Sequence, residues 1–144
     1  MSKIDFISIP KLSFHKEKII HFLRHYADNE GYKISHIQYN FVDKSAMLKI
    51  NNQHLKHDNH TDIITFDYSV KKSIKAEVYI SVEMMNENAK LYGQAVDYEA
   101  VRLISHALFH CMGYSDKSNI EKSKMREMED RFIRDVSRET INNV

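Results

Sequence analysis

The 144-residue chain has one cysteine, one proline and three glycines, and its formal net charge is only +1. Each scarcity excludes something. With Cys111 alone, no internal disulfide can form, which fits a reducing compartment. Three glycines and Pro10 leave little room for a flexible hinge, and no internal repeat or low-complexity linker divides the chain. Residues 1–144 therefore read as a single domain. A near-neutral balance means that no global field advertises nucleic-acid binding, so any polyanion partner must be held by a local patch. The opening "MSKIDFISIP" lacks the apolar core of a signal peptide, and no apolar run approaches membrane-spanning length. A soluble, cytoplasmic protein without membrane contact is the expectation. What is present is ordinary: 42% hydrophobic and 28% charged residues, a balance that argues against disorder.

Periodicity assigns the elements. Ile19, Phe22, Leu23, Tyr26 and Ala27 recur at helical spacing, with Gly31 as a C-terminal stop. "HIQYNF" alternates, with Ile37, Tyr39 and Phe41 on one face, as a half-buried strand does. Asp43 or Ser45 can cap a helix carrying Met47 and Ile50. "DIITFDY", Asp62 to Tyr68, is a β-branched and aromatic strand, and the basic segment "SVKKSIK" connects it to the alternating "AEVYISV". Met85, Ala89 and Tyr92 make a helix that stops at Gly93. A helix from Asp97 to about Met112 has a broad apolar stripe of Ala100, Val101, Ile104, Ala107, Leu108 and Cys111. The last helix runs from about Ser118 to Arg138, with Ile120, Met125, Met128, Phe132 and Val136 inward. Few strands and many helices in mixed order predict an α+β fold, a small mixed sheet covered by helices.

Within "SHALFHCMGYSDKS" the side chains of His106 and His110 project from nearly the same helix face. Gly113 can end the helix in a left-handed conformation and reverse the chain, bringing Ser115 or Asp116 back towards the imidazoles. Two histidines, a carboxylate and an open position form the ligand set of many catalytic zinc sites. A metalloprotease helix would carry a glutamate directly after the first histidine as general base; Ala107 stands there and cannot take a proton.

The same residues resemble the YbeY family of bacterial rRNA-maturation endoribonucleases. Its signature HGxLHLxGYDH is matched in register by "HALFHCMGYSD" from His106 to Asp116. Its PTDVLSF block is matched by "HTDIITFDY" from His60 to Tyr68, and its Met-x-x-x-Glu helix by Met125 and Glu129. The resemblance implies a YbeY-like fold with a metal-ligand helix. It also implies a zinc-dependent, single-strand-specific endoribonuclease acting in small-subunit rRNA maturation and ribosome quality control. Its partners would be rRNA and the small ribosomal subunit, not DNA. Carried over by position, one Zn2+ per chain is held by His106, His110 and Asp116, the last standing where the family has a histidine. Carboxylate oxygen is an accepted zinc donor, but it lowers the net positive charge of the site and acidifies water less.

Two further departures bear on mechanism. The family's arginine six residues before the threonine of PTD falls on Leu55, beside Lys56, and the block's proline on His60. Metal-bound water is then the expected source of the nucleophile, and no side chain stands out as general base. Arg102, one turn before His106, is a candidate phosphate contact, with pairing to Glu99 or Asp97 as its other role. Glu99, two turns before His106 and about 10 Å along the axis, is too far to be a ligand and reads as solvated or supporting. Lys71, Lys72 and Lys75 form the densest basic segment, able to hold RNA phosphates or simply to be a solvated loop. His54, His57 and His60 read as surface histidines, and Cys111 as core. The alternative to an enzyme is a ribosome-associated binding module with a structural metal and weak or no catalysis.

Overall fold

The computed structural model describes residues 2–55 and 61–138, with the backbone alone at His54 and Leu55. Readings that fall on His54, Leu55, Lys56, His57 and His60 therefore lie outside the described residues or side chains. The chain runs β1 (Lys3–Ile7), α1 (Lys16–Asn29), β2 (Lys33–Val42), α2 (Lys44–Leu55), β3 (Ile63–Asp67), β4 (Ser73–Ser81), α3 (Val82–Leu91), α4 (Val96–Cys111) and α5 (Asn119–Ser137).

The four strands form one mixed sheet in the order β1-β2-β4-β3. β1, β2 and β4 are parallel, and β3 returns antiparallel to β4, pairing Ile63 with Ile80. The expected α+β class with a small mixed sheet covered by helices is what the chain adopts. Ile37, Tyr39 and Phe41 face inward as their alternation predicts, while an irregularity between Ile34 and His36 lets Ile34 join them. In β4 the same alternation buries Ile74, Ala76, Val78 and Ile80. β4 begins at Ser73, so Lys75 belongs to a strand and not to the connecting segment expected there. β1 carries too short a pattern to be assigned from sequence, since of its five residues only Ile4 is buried.

α4 is the centre of the fold. Ten of its sixteen residues are buried, including Ala100, Val101, Ile104, Ala107 and Leu108 of the expected stripe. Tyr39, fully buried on the sheet, donates its hydroxyl to the Ile104 carbonyl at 2.8 Å and pins α4 to β2. On the other side, Phe109 packs against Tyr26 of α1 and Phe132 of α5, with ring centroids 5.8 and 6.3 Å apart. α5 follows its expected inward stripe at Met125, Phe132 and Val136, but Ile120 is 83% exposed. Five residues before Met125, it stands about 140° around the helix from that stripe and faces solvent. Among the described residues no helix is long and apolar enough to cross a membrane.

Candidate functional site

Two local devices aim the site. At the end of α4, Gly113 takes the left-handed conformation expected of it, φ +97°. The amide of Gly113 then donates to His110 O and that of Tyr114 to Phe109 O, at 3.1 and 3.0 Å. Tyr114 also packs on Phe109, ring centroids 5.5 Å apart, and completes a Schellman stop. The chain turns back at once, which carries Asp116 to the face of α4 that bears His106. α5 then starts in a full capping box: Ser118 Oγ accepts from the Glu121 amide, and Glu121 accepts from the Ser118 amide, both at 3.1 Å. That start sets the rotation of α5, so that Met125 and Glu129 face α4.

Between these helices, β3 and α3 lies an open cavity of about 500 Å³. His106, His110, Asp116, Arg102 and Glu99 all line it, joined by Asp62, Asn88, Tyr92, Lys122, Arg126 and Glu129. His106 Nδ1 is 2.7 Å from Glu129 Oε2, and Glu129 is only 5% exposed. With that carboxylate ionised, Nδ1 carries the proton, and Nε2 is left with its lone pair. His106 Nε2 faces Asp116 Oδ2 at 4.0 Å. Burial pushes the His106 pKa down, but the bond to Glu129, its charge and the charges of Asp116 and Asp62 outweigh it and hold the imidazole above its ordinary value. His110 lines the same cavity from an exposed position. Among the described residues, no three His, Cys, Asp or Glu side chains close into a cluster able to hold a metal ion.

Arg102 is engaged on several sides. It donates from Nη1 to Glu129 at 3.0 Å and from Nη2 to Asp130 at 2.8 Å, and its Nε lies 3.8 Å from Glu99. Asp97 instead accepts from the Ser13 amide at 3.0 Å. Glu99 is not solvated: it is buried at 3% exposure, which raises its pKa against the opposing pull of Arg102 and Asn88. Asn88 donates to Asp62 at 2.9 Å and approaches Glu99 at 3.4 Å. A chain of polar contacts thus runs from Asp62 through Asn88, Glu99, Arg102 and Glu129 to His106. Sequence reasoning placed Glu129 in a family block without assigning its contact. The available signal was a glutamate four residues from Met125 on the inward face of α5, a position that demands a buried partner. Lys71, Lys72 and Lys75 are not among the residues lining the cavity.

The family model described as Endoribonuclease YbeY matches residues 5–137. Endoribonuclease YbeY of Flavobacterium johnsoniae is 40% identical over 105 residues, 73% of this chain and 73% of the relative. The Cytophaga hutchinsonii protein of the same name is 41% identical over 105 residues, 72% of this chain and 73% of its own. That of Parabacteroides distasonis is 32% identical over 127 residues, 88% of each chain. The solution structure of TM1509 from Thermotoga maritima superposes with a TM-score of 0.65 at 19% identity, covering 93% of this chain and 89% of that one, a likeness of fold. Matched over nearly its whole length by the family model, the chain belongs to the YbeY endoribonuclease family.

Proposed function

We propose that the protein is a zinc-dependent, single-strand-specific endoribonuclease that acts in the cytoplasm on rRNA of the small ribosomal subunit, in its maturation and quality control. The observation that carries the reading is the His106–Glu129 contact. A buried carboxylate that fixes one ring nitrogen of a histidine and frees the other towards a carboxylate-bearing cavity is the arrangement that supports a metal ligand. By chemistry the donors fit zinc: two imidazoles and one carboxylate, with His106, His110 and Asp116 as the residues that would hold it. When bound, the ion supplies Lewis acidity towards a phosphate oxygen and acidifies water. The chain's own residues do the rest. Glu129 orients His106, Arg102 holds Glu129 and Asp130 in register, and Asn88 ties Asp62 to the Glu99 end of the same network. With its guanidinium engaged by three carboxylates, Arg102 acts in this scheme by positioning Glu129. Any phosphate contact of Arg102 would compete with those partners.

Leu55 where the resemblance would place an arginine, and Asp116 where it would place a histidine, favour the binding-module reading. Metal analysis of the wild type and of the His106→Ala, His110→Ala and Asp116→Ala proteins, with cleavage of single-stranded rRNA fragments, separates the two. The enzyme predicts about one zinc per chain, lost in the variants, and cleavage abolished by chelation and by His110→Ala. Zinc retained in all three variants would sink the site. Pure, zinc-loaded protein that leaves the RNA intact would make it a binding module.

A further inference from the structure

We propose that the exposed ridge of α5 from Lys122 through Arg126 to Arg134 is the track that grips the phosphate backbone of single-stranded RNA, with Tyr92 at its head as a platform for one base. The proposal rests on the endoribonuclease reading and names the surface on which its substrate would lie.

A chain of net charge +1 must hold a polyanion locally. The densest basic segment in the sequence is badly placed for that. Ile63 and Ile80 pair at the cavity end of the β3–β4 hairpin, whereas Lys71 and Lys72 lie beyond Asp67 and Ala76, about 14 Å farther along the strands. Lys72 is moreover stacked over the Tyr32 ring at 4.1 Å. Arg102 is in the cavity but committed to Glu129 and Asp130.

Lys122 and Arg126 are different. Both line the cavity and also a second, open groove of about 940 Å³ that continues along the outside of α5 past Arg131 to Arg134. Five basic and two acidic side chains line that groove, and one of the acids, Asp130, is already paired with Arg102. Lys122, Arg126 and Arg134 fall on one i+4 ridge, spanning about 18 Å of helix. Among the described residues none of the three forms an ion pair. They are exposed cations on a ridge that begins at the site, interrupted only at Asp130, whose charge Arg102 already meets.

Tyr92 supplies the second observation. Although it ends a helix whose periodicity predicts it inward, it is 55% exposed and stands in the cavity wall. The Arg126 guanidinium lies 5.8 Å from the centre of its ring. Aromatic faces and guanidinium planes are the surfaces on which unpaired bases stack, and a base held in a duplex cannot reach them. The pair therefore selects a single strand at the point where the backbone enters the site.

The test is the dissociation constant of a fluorescently labelled single-stranded RNA, read by anisotropy over a salt series on chelated full-length protein. Cleavage by zinc-loaded protein is measured alongside. Arg134→Gln and Arg126→Gln should each weaken binding severalfold and lower the salt slope by about 0.7. Tyr92→Leu should weaken it about tenfold, with Tyr92→Phe close to wild type. Lys71→Gln/Lys72→Gln should bind as wild type. Melting curves establish that these surface variants fold. Wild-type affinity and salt slope in Arg134→Gln and Tyr92→Leu would overturn the track while leaving the nuclease intact, as would a salt slope that follows Lys71 and Lys72. Wild-type protein that neither binds nor cleaves the RNA would overturn both.

Discussion

Replacing Glu129 by glutamine removes one charge from the centre of the site and almost no volume. Its two oxygens accept from His106 Nδ1 at 2.7 Å and from Arg102 Nη1 at 3.0 Å, under a cover that leaves the residue 5% exposed. A hydrogen bond involving a charged partner is worth about 1.5–3 kcal/mol. The amide of glutamine can accept from only one of the two donors, and it turns its NH2 towards the other. The expected loss of stability is therefore about 2–3 kcal/mol, or roughly 5–10 °C in Tm for a domain of this size. The same change unlocks the His106 ring, which should weaken zinc binding roughly 10–100-fold. The assay is competition with a chromophoric zinc chelator, well below the melting temperature of both proteins. Ile19→Ala, fully buried in α1 and away from the cavity, serves as a control that costs about 2–5 kcal/mol without touching the site. Zinc affinity equal in Glu129→Gln, Ile19→Ala and wild type would refute the reasoning, because Glu129 would then be a structural anchor and nothing more.

Gly113→Ala tests the turn that returns Asp116. No atom would lie within 4 Å of an added Cβ, so the cost is the left-handed backbone alone, about 1–2 kcal/mol, seen as a fall of about 3–6 °C in Tm. Glu99→Gln tests a buried carboxylate whose pKa is raised, chiefly by desolvation. A raised pKa means that the folded state holds the proton more tightly, so stability present below the ordinary glutamate range is lost as pH rises through the folded value. Glutamine should therefore raise Tm at neutral pH, with the gain shrinking as pH falls through the folded value and gone by about 4.3, the unfolded value, and thermal melts across that range read the difference. Tyr39→Phe removes the buried hydroxyl bond to Ile104 and should cost about 0.5–1.5 kcal/mol in a urea titration.

What the sequence made legible is what depends on local rules. The α4 stripe, the alternation of Ile37, Tyr39 and Phe41, and the stop at Gly113 each follow from side-chain period or backbone sterics within a few residues. The His106–Glu129 contact spans 23 positions, and its existence depends on how far α5 is rotated by the capping box at Ser118. Axial spacing sets Glu99 two turns from His106, but spacing does not reveal that Asn88 and Arg102 meet it and that burial removes it from solvent. Ile120 stands five residues before Met125, about 140° around the helix from the buried stripe, so the expected inward placement broke the helical period and the side chain is exposed. The basic ridge escaped notice for the converse reason. Lys122, Arg126 and Arg134 are scattered along the sequence among acids, and only the helical period brings them into one line.

Charge balance in the cavity explains why the placement of those cations matters. Asp62, Glu99, Asp116 and Glu129 stand against Arg102, Lys122 and Arg126, which with neutral histidines leaves one negative charge in excess. Two unit charges 4 Å apart near a protein surface interact by about 4 kcal/mol, so a phosphodiester approaching these residues alone would be repelled. A divalent cation at the proposed donors reverses the sign and leaves an excess of one positive charge. With a histidine in place of Asp116 the excess would be two. In the proposed site, a carboxylate at Asp116 in place of an imidazole thus removes one unit of positive charge at the point where the substrate's charge must be met. Arg102 cannot restore it, because each of its nitrogens already faces a carboxylate and movement towards a phosphate would leave Glu129 and Asp130 unpaired. Lys122 and Arg126, in the same wall and in no close ion pair among the described residues, can move towards the phosphate without breaking one.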